Sequence, residues 1–209
     1  MEEIISNFLD ALEDNKDKRI FLLREKEVLQ WIFGDLSFLP PVEKKTIKQY
    51  TQKLKKHEDS WGRKKLRDKK PHLKLKGQWS GPFGEALCEE MFLLFGKNVK
   101  RPEKKGGKIP DLETEDHILE VKTQTYMTFG TASQKILSVP FLYCEIPELY
   151  GKYLKVVCVG GAEKLCRESY GVLCNDVSGK KQKFLEFYKE MGIEFAAFSN
   201  FIEIYLSSE

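Results

Sequence analysis

The stretch that decides the fold is residues 110–122, Pro-Asp-Leu-Glu-Thr-Glu-Asp-His-Ile-Leu-Glu-Val-Lys. Apolar and β-branched side chains fill its second half, so residues 117–124 predict a strand. The acidic and hydroxyl residues at 114–116 are typical of a turn. We therefore expect residues 110–113 to form a strand that turns and pairs with the second one as a hairpin.

The predicted hairpin brings charged side chains together. Strand alternation directs Glu120 and Lys122 to one face of the sheet and Leu119 and Val121 to the other. Asp111 lies nine residues before Glu120 and would approach it across the hairpin. Charges at the end of an apolar strand are costly unless they are paired or bind a metal. A cross-strand ion pair of Glu120 and Lys122, with an unrelated aspartate nearby, is the structural alternative.

A magnesium site is the functional hypothesis for these residues. Mg²⁺ is bound through few protein carboxylates and keeps several waters that substrate phosphate can replace. Asp111, Glu120 and the carbonyl of Val121 would supply the protein ligands. Lys122 would orient or deprotonate the attacking water while the metal stabilises negative charge on a phosphate.

A polar run follows the motif strand. It contains hydroxyls, amides, one glycine and a lysine, and such groups suit hydrogen bonding to phosphates and base edges. We predict DNA contacts from six of its residues, which are Thr123, Gln124, Thr128, Thr131, Ser133 and Lys135.

These motifs together resemble a known family. Pro110-Asp111, Glu120-Val121-Lys122 and the run Gly130-Thr-Ala-Ser-Gln-Lys-Ile136 are similar to type II restriction endonucleases of the PD-(D/E)xK nuclease superfamily, with Gln134 where those enzymes carry Glu. The resemblance covers about residues 80–160. It implies a sequence-specific, Mg²⁺-dependent endodeoxyribonuclease that hydrolyses one phosphodiester per strand of double-stranded DNA, built on a restriction-endonuclease-like core.

A third acidic candidate precedes the motif. Residues 82–95 predict a helix because Pro82 suits its first position and Gly96 its end. Members of the resembled superfamily often place an acidic residue on this helix, and Glu85 is the matching position. A glutamate in a first helical turn is also favoured by the helix dipole without any function.

The positive charge is concentrated in residues 44–76, which carry fourteen basic and three acidic side chains. Such a basic strip is typical of a polyanion-binding surface, although lysine runs are commonly just a solvated surface or a linker. Within it we predict DNA contacts from Lys64, Lys65, Arg67, Lys69 and Lys70.

The remaining chain predicts an α/β or α+β fold, with a central mixed β-sheet flanked by helices. We expect an N-terminal helical region at residues 1–76 and the nuclease core at residues 77–209. A helix-turn-helix-like reader is one interpretation of the N-terminal helices, and a cap on the sheet is the other. Predicted helices are 2–14, 18–34, 41–57 and 180–191, and predicted strands are 153–159 and 198–206.

Several classes of protein are disfavoured. No apolar run is long enough for a membrane span and the acidic N-terminus lacks signal-peptide features, so we expect a cytoplasmic protein without a membrane partner. The five cysteines lack zinc-ligand spacing and are expected to be reduced. The histidines lack a nearby nucleophile signature, so a histidine-based hydrolase has little support.

Three other functions remain open. A structure-selective or repair nuclease of the same superfamily would use the same residues. A catalytically inactive DNA-binding module would keep the fold without the chemistry. An RNA-binding protein could use the basic strip, but no aromatic-rich RNA-binding signature is visible. A palindromic DNA target would favour a homodimer, and a monomer is the alternative.

Overall fold

The computed structural model describes residues 1–43, 46–73, 77–128, 132–174 and 176–208, apart from the side chains of residues 132 and 133. A π-helical segment occupies Cys166–Tyr170. The helices are α1 (Glu2–Glu13), α2 (Lys26–Ile32), α3 (Ile47–Lys69), α4 (Ser80–Leu94), α5 (Ala132–Leu137), α6 (Val139–Leu142), α7 (Ile146–Tyr150), α8 (Gly161–Leu165), α9 (Gly179–Glu190) and α10 (Phe198–Ser208). The strands are β1 (Leu112–Glu113), β2 (His117–Gln124), β3 (Tyr153–Gly160) and β4 (Ile193–Ala197).

The strands form one four-stranded mixed sheet in the order β1-β2-β3-β4. The pair β1–β2 is antiparallel, as expected for a hairpin, and β2, β3 and β4 run parallel. Each parallel connection passes through helices, which is the geometry that a crossover requires. The predicted class, an α/β fold with a central mixed sheet flanked by helices, is therefore confirmed.

One face of the sheet is covered by the N-terminal helices and by α10. Leu119 and Val121 of β2 belong to the large apolar cluster on this face, together with Phe8 of α1, Trp31 of α2 and Phe83 of α4. Near-complete burial of these side chains makes this cluster the main source of hydrophobic stabilisation. The N-terminal region thus lies against the sheet and caps it.

The opposite face is covered by the crossover segments. Ile118 and Val156 pack here with Ile146 of α7, and Cys158 packs with Cys166 of the π-helical segment. Because residues 118 and 119 belong to different clusters, the strand alternation predicted for β2 is confirmed. Glu120 and Lys122 therefore point toward the crossover side.

The C-terminal segment is a correction to the sequence prediction. Residues 198–206 form helix α10 and not a strand, and the last strand is β4, just before it. The apolar side chains recur at helical spacing and pack on α1 and α4; the Tyr205 ring, for example, lies 5.6 Å from that of Phe8. Aromatic and β-branched composition favoured a strand locally, and tertiary packing of one helical face overrode that preference.

Two N-terminal helices also differ from their predicted bounds. The segment 18–34 is helical only in α2, because the buried carboxylate of Glu90 accepts hydrogen bonds from the backbone of Leu22 and Leu23 and holds them in a turn. The third helix begins later and runs further than predicted. Thr46 caps it by accepting from the backbone N–H of Gln49.

The apolar core crosses the predicted domain boundary at residue 76. The same cluster includes Phe8 and Trp31 from the N-terminal region and Phe198 from the C-terminal helix. The division into a helical region and a nuclease core stays a prediction. All five cysteines are free, as expected. Among the described residues, every helix is too short or too polar to traverse a lipid bilayer.

Candidate active site

The hairpin fixes Asp111 against the motif strand. Asp111 lies one residue before β1; its backbone N–H donates to the carbonyl of Leu119 at 3.2 Å. Its carboxylate accepts from the backbone N–H of Val121 at 2.7 Å. A strand residue directs its N–H and C=O toward the same neighbour, so the Val121 carbonyl also lies on the Asp111 side. The three metal-ligand candidates, Asp111, Glu120 and Val121, are thus neighbours.

Lys122 contacts Glu120 directly. The Lys122 Nζ lies 2.5 Å from Glu120 Oε1, and the Glu120 side chain is only 6% exposed. The other carboxylate oxygen, Glu120 Oε2, is buried and has no hydrogen-bond partner within the described part of the chain. A buried acceptor without a partner is costly. This oxygen is consequently suited to a cation.

The pKa of the Asp111 carboxylate is shifted by its surroundings. Burial and the negative charge of Glu120 raise the pKa of Asp111 from 3.8 to about 7, and the charge of Glu85 adds to the effect. The Val121 N–H and the Lys122 ammonium act in the opposite direction without cancelling it. A carboxylate whose pKa is strongly raised by burial and a neighbouring charge is a feature of functional sites. A divalent cation between Asp111 and Glu120 would relieve the repulsion.

Glu85 lies beside this pair but has a partner of its own. Its carboxylate forms an ion pair with Arg101 at 2.6 Å, and Arg101 also donates to the backbone carbonyl of Asp111 at 2.8 Å. Arg101 therefore links helix α4 to the start of the hairpin. Nothing in the sequence pattern indicates this role, since it depends on a contact between two elements.

The donors present fit a Mg²⁺ ion that is held by two protein carboxylates. No group of three His, Cys, Asp or Glu side chains suited to a metal occurs within the residues that the structure describes. Asp111 and Glu120 are two carboxylates, and Mg²⁺ commonly uses one or two with waters and substrate phosphate completing its shell. Glu120 Oε2, which has no hydrogen-bond partner among the described residues, supports this fit. The Glu85 carboxylate pairs with Arg101 and is not counted as a ligand.

A cleft of about 540 Å³ opens at the end of β2, and its lining does not include Asp111 or Glu120. Helix α3 and the end of β2 form its two walls. Val121 and Lys122 line it, so the candidate lysine belongs to both the carboxylate site and the cleft. The other lining residues include the predicted DNA contacts Thr123, Gln124, Thr128 and Lys135, together with Lys55 and Arg63 of α3. Thr131 and the side chain of Ser133 lie outside the described residues.

The predicted contacts of the basic strip divide into two groups. Lys64 and Arg67 are exposed on α3 and remain available for a polyanion. Lys65 pairs with Glu25 at 2.8 Å, and Lys69 pairs with the same carboxylate. Lys70 is 6% exposed and pairs with the buried Glu90.

Three of the predicted DNA contacts have acidic partners in the folded protein. Lys65 and Lys69 join α3 to Glu25, just before α2, and Lys70 joins it to Glu90 of α4. Their DNA contacts stay predictions. Charge counting along the sequence could not distinguish these lysines from the exposed ones. Lys55 and Arg63, which line the cleft, belong to the same basic strip but were not singled out.

Tyr143, just after helix α6, is a further neighbour that the motif did not indicate. Burial raises the pKa of the Tyr143 hydroxyl, and the charges of Glu120 and Asp111 raise it further. The hydroxyl therefore lies within electrostatic range of both carboxylates.

Comparison of the chain with protein-family models, curated proteins and solved structures gave no significant match.

Proposed function

We propose that this protein is a magnesium-dependent endodeoxyribonuclease that acts on double-stranded DNA. The observation that carries the proposal is the convergence of Asp111, Glu120 and Lys122, with one buried oxygen of Glu120 that has no hydrogen-bond partner among the described residues. The resemblance of the motif to type II restriction endonucleases favours sequence-specific cleavage within this class.

Each residue has a distinct part in the proposed chemistry. Asp111, Glu120 and the Val121 carbonyl would hold Mg²⁺, which when bound supplies positive charge that stabilises negative charge on a phosphate. Lys122 extends from Glu120 into the cleft. From there its ammonium can hold a water in line with a phosphodiester, as proximity catalysis requires. Glu85 acts through Arg101 by fixing the start of the hairpin.

The cleft supplies the binding part of the proposal. Arg63 and Lys135 supply positive charge to its lining, and cationic side chains are the main source of affinity for a DNA backbone. Lys55 and Lys122 also line it, but Lys55 pairs with Asp59 at 2.7 Å and Lys122 pairs with Glu120. Exposed Lys64 and Arg67 would extend this surface along α3. The hydroxyl and amide groups at the end of β2 are placed to contact phosphates or base edges.

Digestion of a sequenced plasmid with purified protein and Mg²⁺ tests the activity. Discrete, reproducible fragments that disappear with EDTA are the expected result. Nicking confined to branched substrates would instead indicate a structure-selective nuclease. Metal-independent binding with no cleavage of any DNA would indicate an inactive DNA-binding module and would contradict the proposed enzyme.

The substitution Lys122→Ala tests the catalytic assignment. We expect cleavage to fall by at least about 100-fold, the scale of a lost general acid–base group, while duplex binding in EDTA stays within about threefold. Lys155→Ala is the matched control, since Lys155 is also a strand lysine paired with a glutamate, Glu194, but away from the site. A Lys122→Ala enzyme that still cuts at the wild-type rate would refute the role of Lys122.

A further inference from the structure

Helix α3 carries a buried carboxylate, Glu58, next to the cleft-lining residue Asp59. Glu58 of helix α3 is 0% exposed and is separate from the Asp111–Glu120 pair. Burial raises its pKa. A buried carboxylate lowers the free energy of unfolding unless it makes strong hydrogen bonds. The hydrogen bonds of Glu58 therefore indicate its structural role.

Glu58 connects helix α3 to the segment that follows the motif strand. Its Oε1 accepts from the indole N–H of Trp31 at 2.8 Å and from the backbone N–H of Tyr126 at 2.9 Å. The first bond anchors the carboxylate in the aromatic cluster beneath α3. The second holds residues 125–128, which we call the exit loop because β2 ends at Gln124.

The exit loop carries part of the cleft wall. Thr125 and Thr128 line the cleft opposite Lys55, and their hydroxyls are joined by a 2.6 Å hydrogen bond. The side chain of Gln124 donates to the Thr128 carbonyl at 2.5 Å. A second groove of about 400 Å³ is lined by Lys48, Lys55 and Thr128. The distance between α3 and the exit loop therefore sets the width of both openings.

We propose that Glu58 is a positioning residue that fixes the exit loop to α3 and so determines how well the cleft holds its polyanion. This inference rests on the proposed function, in which the cleft receives a DNA duplex. Glu58 itself touches no substrate atom in this proposal. Its loss should weaken DNA binding without altering the chemistry at Lys122.

Glu90 provides a matched control. It is also 0% exposed and accepts from two backbone N–H groups, of Leu22 and Leu23. It lies in α4 and also pairs with Lys70, and none of its hydrogen bonds or ion pairs within the described residues reaches the exit loop. Substituting either glutamate by alanine removes a buried anchor, but Glu58 is the one bonded to the exit loop, through Tyr126.

The experiment compares Glu58→Ala with Glu90→Ala. The affinity probe is a fluorescent duplex of about 30 base pairs of mixed sequence in EDTA, which reports backbone binding without cleavage. We expect Glu58→Ala to raise the Kd about tenfold, a factor typical of one lost buried hydrogen bond, and Glu90→Ala to change it less than about twofold. Cleavage at saturating DNA should stay near the wild-type rate in both variants.

Amide hydrogen exchange supplies a readout that does not depend on DNA. Exchange at Tyr126, Met127 and Thr128 should be faster in Glu58→Ala than in wild type and unchanged in Glu90→Ala. Glu58→Gln keeps an acceptor oxygen and should restore slow exchange and affinity. If the alanine variant does not fold, Glu58→Asp, which shortens the side chain by one methylene, replaces it. Exchange at residues 126–128 should then increase by a smaller factor.

The outcomes separate the two proposals. Wild-type protein that neither binds nor cuts the duplex would remove the proposed function, and slow exchange at residues 126–128 would still report whether Glu58 holds the loop. Unchanged exchange in both Glu58→Ala and Glu58→Asp would overturn the inference. Equal losses of affinity in the Glu58 and Glu90 variants would also overturn it, because the effect would then be one of general stability.

Discussion

At the scale of a residue, burial of the Asp111 carboxylate lowers the stability of the folded protein. Burial and the charge of Glu120 raise the pKa of Asp111 from 3.8 to about 7. The folded protein therefore binds a proton that the unfolded chain has released, and stability is lost as the pH rises through this interval. A carboxylate retained at this cost is expected where a bound cation offsets it.

The substitution Asp111→Asn should therefore stabilise the metal-free protein. Relative to wild type, we expect its free energy of unfolding to increase by about 2 kcal/mol more at pH 8 than at pH 5. Urea unfolding in EDTA at the two pH values measures this difference. Asp116→Asn is the control, because Lys97 lowers the pKa of that exposed carboxylate and its loss should not stabilise. An Asp111→Asn gain that is equal at both pH values would contradict the raised pKa.

The contact between helix α4 and strand β2 operates at the scale of an element. A Cβ added to Gly84 would lie 1.7 Å from the Thr123 Oγ1. The close approach of helix to strand therefore requires glycine at position 84. For Gly81, in the same helix, no atom of the described residues lies within 4 Å of such a Cβ.

The substitution Gly84→Ala should lower the free energy of unfolding by about 1–3 kcal/mol, the usual cost of overpacking. Gly81→Ala should be neutral or stabilise by up to about 1 kcal/mol, because alanine is the better helix former. Urea unfolding of both variants measures the two effects. Equal stability of the two variants would show that α4 can move away from β2 without cost.

Helix α3 carries two kinds of basic residue. Arg63 lines the cleft and Lys64 is exposed, whereas Lys65 and Lys69 pair with Glu25. Replacing Arg63 and Lys64 by alanine should reduce the slope of log affinity against log salt by about 2, since each phosphate contact contributes about 0.9. Replacing Lys65 and Lys69 should lower stability and leave the slope unchanged. A salt titration of duplex binding distinguishes them, and equal slopes would remove the cleft from the interface.

At the scale of the whole molecule, one large apolar cluster contains residues from both the N-terminal helices and the C-terminal helix. Trp31, Trp61 and Trp79 lie in or beside the N-terminal layer, and their rings contact one another. The buried ion pair of Lys70 and Glu90 links the end of α3 to α4 at 2.9 Å. We infer that the N-terminal layer and the sheet stabilise each other.

Unfolding should accordingly be a single cooperative transition. Tryptophan fluorescence reports the cluster of Trp31, Trp61 and Trp79, far-ultraviolet circular dichroism reports the whole backbone, and their urea midpoints should coincide. Two separated transitions would instead support the division at residue 76 that the sequence suggested. The same measurement on Glu90→Ala should show a lower midpoint by both probes, because the buried Lys70 then loses its partner.

The sequence by itself determined the central hairpin and the identity of the candidate site. The strand at residues 117–124 and its alternation follow from local composition, because neighbouring side chains of a strand must face opposite sides. Asp111, Glu120 and Lys122 were recognisable because their spacing is local and their charge is unusual in an apolar strand. Such signals do not depend on distant parts of the chain.

Only the tertiary structure decided which charges are available and how the chain ends. The sequence alone predicts three exposed cations at Lys65, Lys69 and Lys70. In the folded protein they pair with Glu25 and Glu90. Residues 198–206 have strand-like composition and become a helix because α1 and α4 bury one helical face. The roles of Arg101, Tyr143 and Glu58 likewise depend on contacts between distant elements. Local propensity amounts to tenths of a kcal/mol per residue, and the burial and pairing that override it exist only once the chain has folded.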